Sequence, residues 1–348
     1  MMKLSYVKKK FYFNFPAYTS RGTMLERDCW FLILHSTSDI FVGECAPLHG
    51  LSRDNIEEIP QLLDDICQNF NHQTHFPAFD EQLFPSVAFA VESLKLQIEH
   101  QQCGLHFPSS FTEGREGIAI NGLIWAGTFE QVLAQVDEKV RMGFPCIKMK
   151  IGALSFDEEL SLIQSVRNHY PHVEIRLDAN GAFTPADALS KIEQLAKFNI
   201  HSLEQPIATG QWTAMKRICA NSPIPIALDE ELIPIVSLQE QHQMLDYIRP
   251  TYIILKPSLL GGFSRTEQWI QTANSMQIGW WVTSALESNV GLNAIAQWTY
   301  RVAPHRVHGL GTGRIYKNNI TSPLRLQQDK IYYQPQYLWD FSSLFLNE

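Results

Sequence analysis

The sequence predicts an α/β chain, a TIM-type barrel behind a smaller α+β domain. Three observations carry that expectation. From about residue 118 onward, short apolar stretches alternate with amphipathic helical ones, the rhythm of βα units. Three of those stretches end in a carboxylate, Asp178, Glu204 and Asp229, at steps of 26 and 25 residues. That is about the length of one strand plus one crossover helix. The residues before 118 lack this rhythm and read as strands followed by helices.

In order, the first domain is expected over 1–117. Strands are expected over 4–13, 29–35 and 40–44, the last closed by Asp39 and Pro47. Ile56, Ile59, Leu62, Leu63, Ile66 and Phe70 recur at helical spacing, so 55–70 is expected to be a helix. A second helix is expected over 85–100, with Pro85 in its first turn. Between the first two strands, 17–24 is polar, with one glycine and Arg21, and reads as a mobile exposed loop. Residues 103–117, with Pro108-Ser-Ser and Glu113-Gly-Arg-Glu-Gly117, read as a linker.

The barrel is expected over 118–320. Its eight strands fall at 118–124, 146–151, 174–177, 202–204, 225–229, 252–256, 279–283 and 307–310. Helices are expected over 131–142, 156–169, 185–198 and 264–275. A dinucleotide-binding sheet is the competing fold, but it wants a GxGxxG turn after its first strand, and Gly122 alone does not supply one. The aromatic stretch 321–348 is expected to pack back on the first domain.

Composition excludes several classes of function. A 348-residue chain with 45% hydrophobic and 18% charged residues describes a soluble globular protein with ample core. A net charge of −8 and a pI near 5.8 offer no general basic surface to nucleic acid or membrane. The run Lys8-Lys9-Lys10 is broken at once by Phe11 and reads as the solvent side of a strand. Six scattered cysteines without a CxxC pair read as reduced thiols in a cytoplasmic protein. No apolar run approaches the ~20 residues that span a bilayer, and the N-terminus has no apolar signal-peptide core. A small-molecule partner is therefore expected, and a homo-oligomer is compatible with the sequence.

Three carboxylates at successive strand ends converge at one rim of a parallel barrel. Oxygen-only ligands suit a hard divalent cation, Mg²⁺ first and Mn²⁺ second. In Lys148-Met149-Lys150, alternation puts both lysines on the face opposite Met149. If Met149 packs outward, both enter the barrel, where mutual repulsion should depress one pKa and make a base. Ile253-Ile-Leu-Lys256 sends another lysine to the rim from the sixth strand. The seventh and eighth strands end in Ser284-Ala-Leu-Glu287-Ser288 and Gly309-Leu-Gly-Thr-Gly313, the latter with main-chain N–H groups expected free for an anion. Such a site suits proton abstraction beside a carboxylate that the metal polarises. Phosphoryl transfer and zinc hydrolysis lack their motifs, GxxxxGK[ST] and HExxH.

Lys-x-Lys, Asp-x-Asn, Glu-Gln-Pro, Asp-Glu and Lys-Pro on successive strands resemble the enolase superfamily, and the lysine pair resembles its muconate lactonizing enzyme subgroup. The likeness extends to Thr19-Ser-Arg-Gly, to Gly291-Leu-Asn-Ala-Ile-Ala-Gln-Trp298 and to His308-Gly-Leu-Gly-Thr-Gly. It implies a capping domain ahead of a modified (β/α)7β barrel. It implies Asp178, Glu204 and Asp229 as Mg²⁺ ligands, with Asn180 and Glu230 behind them. It implies Lys150 as acid and base, Lys148 as its support and Lys256 as a fixed cation on the opposite wall. It implies Arg21, Ser284, Gly309, Leu310 and Gly311 against the substrate, with Arg21 closing over a second carboxylate. The implied reaction is a carbon–oxygen lyase step in menaquinone synthesis, the syn dehydration of a succinylated hydroxycyclohexadiene carboxylate to an aromatic acid. The same machinery serves N-succinylamino acid racemases, cycloisomerases and dipeptide epimerases. Dipeptide epimerases carry Asp-x-Asp where this chain reads Gly309-Leu-Gly311.

Overall fold

The computed structural model describes residues 2–19, 22–37 and 39–345. The chain opens with a long antiparallel ribbon, Lys3–Thr19 against Gly22–His35, extended by Ile40–Cys45 into a three-stranded sheet. Pairing runs from Lys3 and His35 out to Thr19 and Gly22, with a shift in register between Tyr12 and Ala17. The expected loop at 17–24 is thus largely ladder, because main-chain groups pair whatever polar side chains they carry. Ser20 and Arg21 lie outside the described residues.

Around residues 29–34 and 41–45 both faces of this sheet are buried, and strand alternation sorts them, while Tyr12, Leu25 and Glu26 farther along the ribbon stay exposed. Leu32 and Leu34 face helices Ile59–Gln73 and Pro85–His100, packing with Leu63, Ile66, Val87 and Leu94. Phe31 and Ile33 face the barrel, packing with Val290, Ile315 and Tyr316. The first helix starts at Ile59, later than its apolar spacing suggests. Residues 55–58 form a turn in which Asn55 Nδ2 donates to Glu58 Oε1 at 2.7 Å, and Pro60 occupies the first helical turn.

Seven parallel strands follow: Gly122–Ile124, Cys146–Lys150, Glu174–Asp178, Ser202–Glu204, Ile226–Leu228, Tyr252–Leu255 and Gly279–Val282. They pair in chain order, which is the topology of a sheet curling into a barrel. Between them run helices Phe129–Arg141, Phe156–His169, Ala188–Leu195, Trp212–Asn221, Leu238–Ile248 and Phe263–Ser275, and Asn289–Val302 follows the seventh strand. Three of these start with a capping box, Thr128 with Gln131, Ser155 with Glu158 and Ser237 with Glu240.

Closure differs from the sequence expectation. The stretch expected as one strand over 118–124 is broken. Gly117–Ala119 pairs antiparallel with Lys330–Tyr333, itself one arm of a hairpin with Leu324–Gln327. The eighth strand is reduced to two bridges, Ile120 with His308 and Thr283 with Gly309. A side chain completes this seam. His308 Nδ1 accepts the Val282 N–H at 3.1 Å, and its Nε2 donates to Ala303 O at 2.9 Å. The ring does the work of a ladder carbonyl, and burial holds its pKa down at about 4.

The expected linker is packed, not loose. Phe107 and Phe111 are core residues, and Gln297 Oε1 accepts the N–H groups of His106 and Phe107 at 2.8 and 3.1 Å. Asn293 and Gln297 both donate to Gly104 O, which explains the polar positions of the 291–298 helix segment. The C-terminal stretch divides. Its hairpin joins the barrel side, while Trp339, Phe341 and Leu344 pack with Phe11 and Phe13 of the first sheet. Glu92, from the capping helix, accepts the Phe263 and Ser264 N–H groups and so caps a barrel helix from another domain. Among the described residues no helix is long and apolar enough to cross a membrane.

Candidate active site

Strand register gathers the polar residues at the C-terminal rim. Lys148 lies opposite Arg176, Lys150 opposite Asp178 and Asp178 opposite Glu204 on neighbouring strands. Met149 and Ile147 are fully buried against the helices, so Lys148 and Lys150 turn inward. Lys148 Nζ sits 2.6 Å from Glu204 Oε1 and 2.9 Å from Asp178 Oδ2. Lys150 Nζ donates to Asn180 Oδ1 at 2.7 Å and stands 3.8 Å from Asp178 Oδ2. Lys256 Nζ, across the barrel, is ion-paired with Asp229 Oδ2. Asn180 Nδ2 passes on to Glu230 Oε1 at 2.9 Å, which links Lys150 through an amide to the fifth strand end.

The Asp-x-Asn spacing has a backbone cause. Asn180 stands at φ 43 and Gly181 at φ 80, a reversal that turns Asn180 back over the rim. Asparagine is among the few residues that accept this region. Gln205 stands at φ 40. Its Oε1 accepts the Asp229 and Glu231 N–H groups at 3.2 and 3.3 Å, and its Nε2 donates to Glu231 Oε2 at 3.1 Å. Gln205 therefore orders the fifth strand end from the fourth, a role the Glu-Gln-Pro string signals only by its position. Sequence reasoning also missed Trp125, which follows the first strand and whose ring centre lies 5.9 Å from Lys150 Nζ.

For Lys148 the electrostatics run against the expected repulsion. Burial pushes the Lys148 pKa down, but Asp178, Glu204 and Asp229 outweigh it and hold the ammonium well above its ordinary range. Lys256 is raised in the same way, its burial overcome by Asp229 and then Glu204. Carboxylates at the rim, not lysine repulsion, dominate both groups. Asp178 is held low because Lys148 and Lys150 overcome its burial. Burial and then the Asp178 charge push Glu204 up, despite its short contact with Lys148. Glu230 is lifted to about 6 by burial and then by Asp229.

Among the described residues no three His, Cys, Asp or Glu side chains are already gathered as metal ligands, since ammonium groups hold the carboxylates. The donor set still fits a hard cation. It is all oxygen, and Asp229 Oδ1 and Glu230 Oε2 are buried without a partner.

On the other side of the rim, the Ser284 N–H and hydroxyl both reach Gly309 O, at 3.0 and 3.2 Å, and Thr312 Oγ1 donates to Ser284 Oγ at 2.9 Å. The Gly309 N–H is not free, as expected from the glycine run, but donates to Val282 O at 2.8 Å. A Cβ at Gly309 would lie 2.6 Å from Thr283 Cγ2, so close approach explains this glycine. Leu310 is core, and Gly311 is exposed on the same segment. Arg21 lies outside the described residues, so its place relative to this rim is not part of the geometry.

Residues 131–332 match the model of an enolase C-terminal domain-like family. The chain belongs to the enolase superfamily. Within that superfamily it is 41% identical to the o-succinylbenzoate synthase of Desulfotalea psychrophila, over 93% of this chain and 96% of that one. The solved structure of MenC from Desulfotalea psychrophila superposes with a TM-score of 0.83 at 38% identity, covering 95% of this chain and 99% of that chain. A dipeptide epimerase from Enterococcus faecalis, solved with Mg and the dipeptide L-Leu-L-Tyr, superposes with a TM-score of 0.80 at 17% identity, covering 96% and 97%, and shows the shared fold.

Proposed function

We propose that this superfamily member is an o-succinylbenzoate synthase, a hydro-lyase of menaquinone biosynthesis. The observation that carries the reading is 41% identity to such an enzyme over nearly the whole of both chains. Asp178, Glu204 and Asp229 would hold Mg²⁺ or Mn²⁺, with Glu230 and Asn180 behind them. The bound cation would draw electron density from the substrate carboxylate and acidify the neighbouring C–H bond.

The lysines then divide the work by their partners. Lys148 and Lys256 bond to carboxylates, whereas the close partner of Lys150 is the neutral amide oxygen of Asn180. Lys150 is thus the group to accept the α-proton. In a syn elimination the hydroxyl leaves from the same face, so Lys150 returns that proton to it and water departs. Lys256, on the opposite wall, transfers no proton and offsets the negative charge that grows on the planar ring. Lys148 keeps Asp178 and Glu204 at a fixed separation. Arg21 is assigned to the succinyl carboxylate.

The test is direct. Purified protein with Mg²⁺ and the succinylated cyclohexadiene substrate should form the aromatic product, and EDTA should stop it. No dehydration, with turnover of N-succinylamino acids, would replace this reading with a racemase.

A further inference from the structure

Arg27 is a buried cation to which the mechanism gives no task. Arg27, on the second strand of the capping sheet, is 7% exposed. Its two terminal nitrogens bond four main-chain oxygens in two domains. Nη2 donates to Ala46 O and to Pro47 O at 3.0 Å, where the capping sheet ends. Nη1 donates to Ala285 O at 3.0 Å and to Leu286 O at 2.6 Å, in the barrel loop that follows Ser284. A guanidinium is the side chain whose rigid fork can hold so many acceptors at once.

That loop is strained where Arg27 grips it. Leu286 stands at φ 63, a left-handed conformation that strains a leucine. The Tyr316 hydroxyl donates to the same Leu286 oxygen at 2.6 Å. Buried carboxylates hold the flanks. Glu287 Oε2 accepts the Ala285 N–H at 2.7 Å and Glu287 Oε1 accepts from Ser258, while Glu44 Oε1 accepts the Ser288 N–H at 2.8 Å. A strained turn fixed from every side and adjoining a rim residue is the pattern of stored pre-organisation.

We propose that Arg27 is a positioning residue for the substrate-facing wall. From the capping sheet it holds the turn at Ala285 and Leu286 in its left-handed form, and thereby sets where Ser284 presents its hydroxyl beside Gly309. This rests on the reading of Ser284 as facing the substrate of the dehydration. It gives the capping domain a part in shaping the barrel's own wall.

The test uses the full-length protein and two readouts. In the substrate-free Arg27→Met variant, amide hydrogen exchange at Ala285 and Ser288 should speed up about tenfold or more, with Arg27→Lys in between. In steady-state assays KM should rise about tenfold while kcat changes less, because a wall contact is largely uniform binding. The loss in kcat/KM from Arg27→Met and Ser284→Ala together should fall short of the product of the single losses, since one acts through the other. Unchanged exchange in a folded Arg27→Met protein overturns the proposal, as do single effects that simply multiply. Should Arg27→Met fail to fold, Arg27→Lys and Tyr316→Phe carry the same measurements. The exchange arm decides the hold on the turn even if the dehydration assay is silent. A silent assay of the wild-type protein counts against the reaction, not against Arg27.

Discussion

Two buried histidines make the fold acid-sensitive by an amount that follows from their pKa values. His308 is held down at about 4 and His106 at about 3, in both cases first by burial, against about 6.5 for a histidine in the unfolded chain. A depressed folded pKa means the native state favours the neutral ring. The stability is therefore fully present above about pH 6.5 and is lost as pH falls from there toward the folded values. At pH 5 the linkage relation gives about 2 kcal/mol lost per histidine, or about 4 kcal/mol for the pair. With roughly 2.1 cal/mol/K of unfolding entropy per residue over 348 residues, that lowers the melting temperature by about 5 °C between pH 7.5 and pH 5. His308→Asn keeps an acceptor near the Nδ1 position for the Val282 N–H but cannot be protonated, so its drop should be about half as large. Comparing the two proteins cancels the carboxylates, including Glu230, whose raised pKa of about 6 acts in the opposite sense. Calorimetric melts at the two pH values measure the difference. An identical drop in His308→Asn, or an imidazole of His308 titrating near 6.5 in the folded protein by NMR, would refute the reasoning.

Further outcomes follow from the rim. Lys148→Met strands two buried carboxylates and should cost about 3–5 kcal/mol without divalent cation, part of it restored by Mg²⁺; equal melting temperatures for mutant and wild type in EDTA would exclude this. Asp229→Asn should weaken Mg²⁺ binding at least about tenfold by titration calorimetry while circular dichroism stays native. Wild-type activity at low Mg²⁺ in that variant would remove Asp229 from the ligand set. Lys150→Ala should abolish dehydration, and solvent deuterium should enter a slow, α-chiral substrate analogue only through Lys150; exchange that survives in Lys150→Ala and vanishes in Lys256→Ala would reverse the roles. Arg21→Ala should raise KM more than it lowers kcat.

The barrel and its charged rim were legible because they obey short-range rules. A parallel strand that ends in a carboxylate, repeated at one strand-plus-helix spacing, leaves little choice about where those acids converge. The lysine pair was legible from alternation alone. What the sequence hid were arrangements made by side chains standing in for main chain. Nothing local marks His308 as the acceptor that closes the seam, or Gln205 as the residue that orders the next strand end. Residues 103–117 read as a linker because turn residues dominate them, and their Phe107 and Phe111 anchors are too few for any periodicity. The Gly309 N–H looked free because a glycine run carries no sign of which main-chain groups closure will consume. The raised pKa of Lys148 was hidden for a related reason. Repulsion between neighbours in the chain is visible in sequence, whereas three carboxylates brought in from other strands are not.

The Glu92 cap has a consequence for anyone who recombines these proteins. A helix N-terminus leaves main-chain donors that something must satisfy, and here the residue that satisfies those of Phe263 and Ser264 comes from a segment about 170 positions earlier. A chimera that grafts this barrel onto a relative's cap inherits the helix but loses its acceptor unless the relative carries a carboxylate at the matching turn. Gly262 sharpens the requirement, since any Cβ there would collide with the Glu92 carboxylate. Glu92 and Gly262 are thus a matched pair, and a crossover placed between them should yield hybrids about 1 kcal/mol less stable, the usual worth of a helix cap, unless the relative carries a carboxylate at the matching turn.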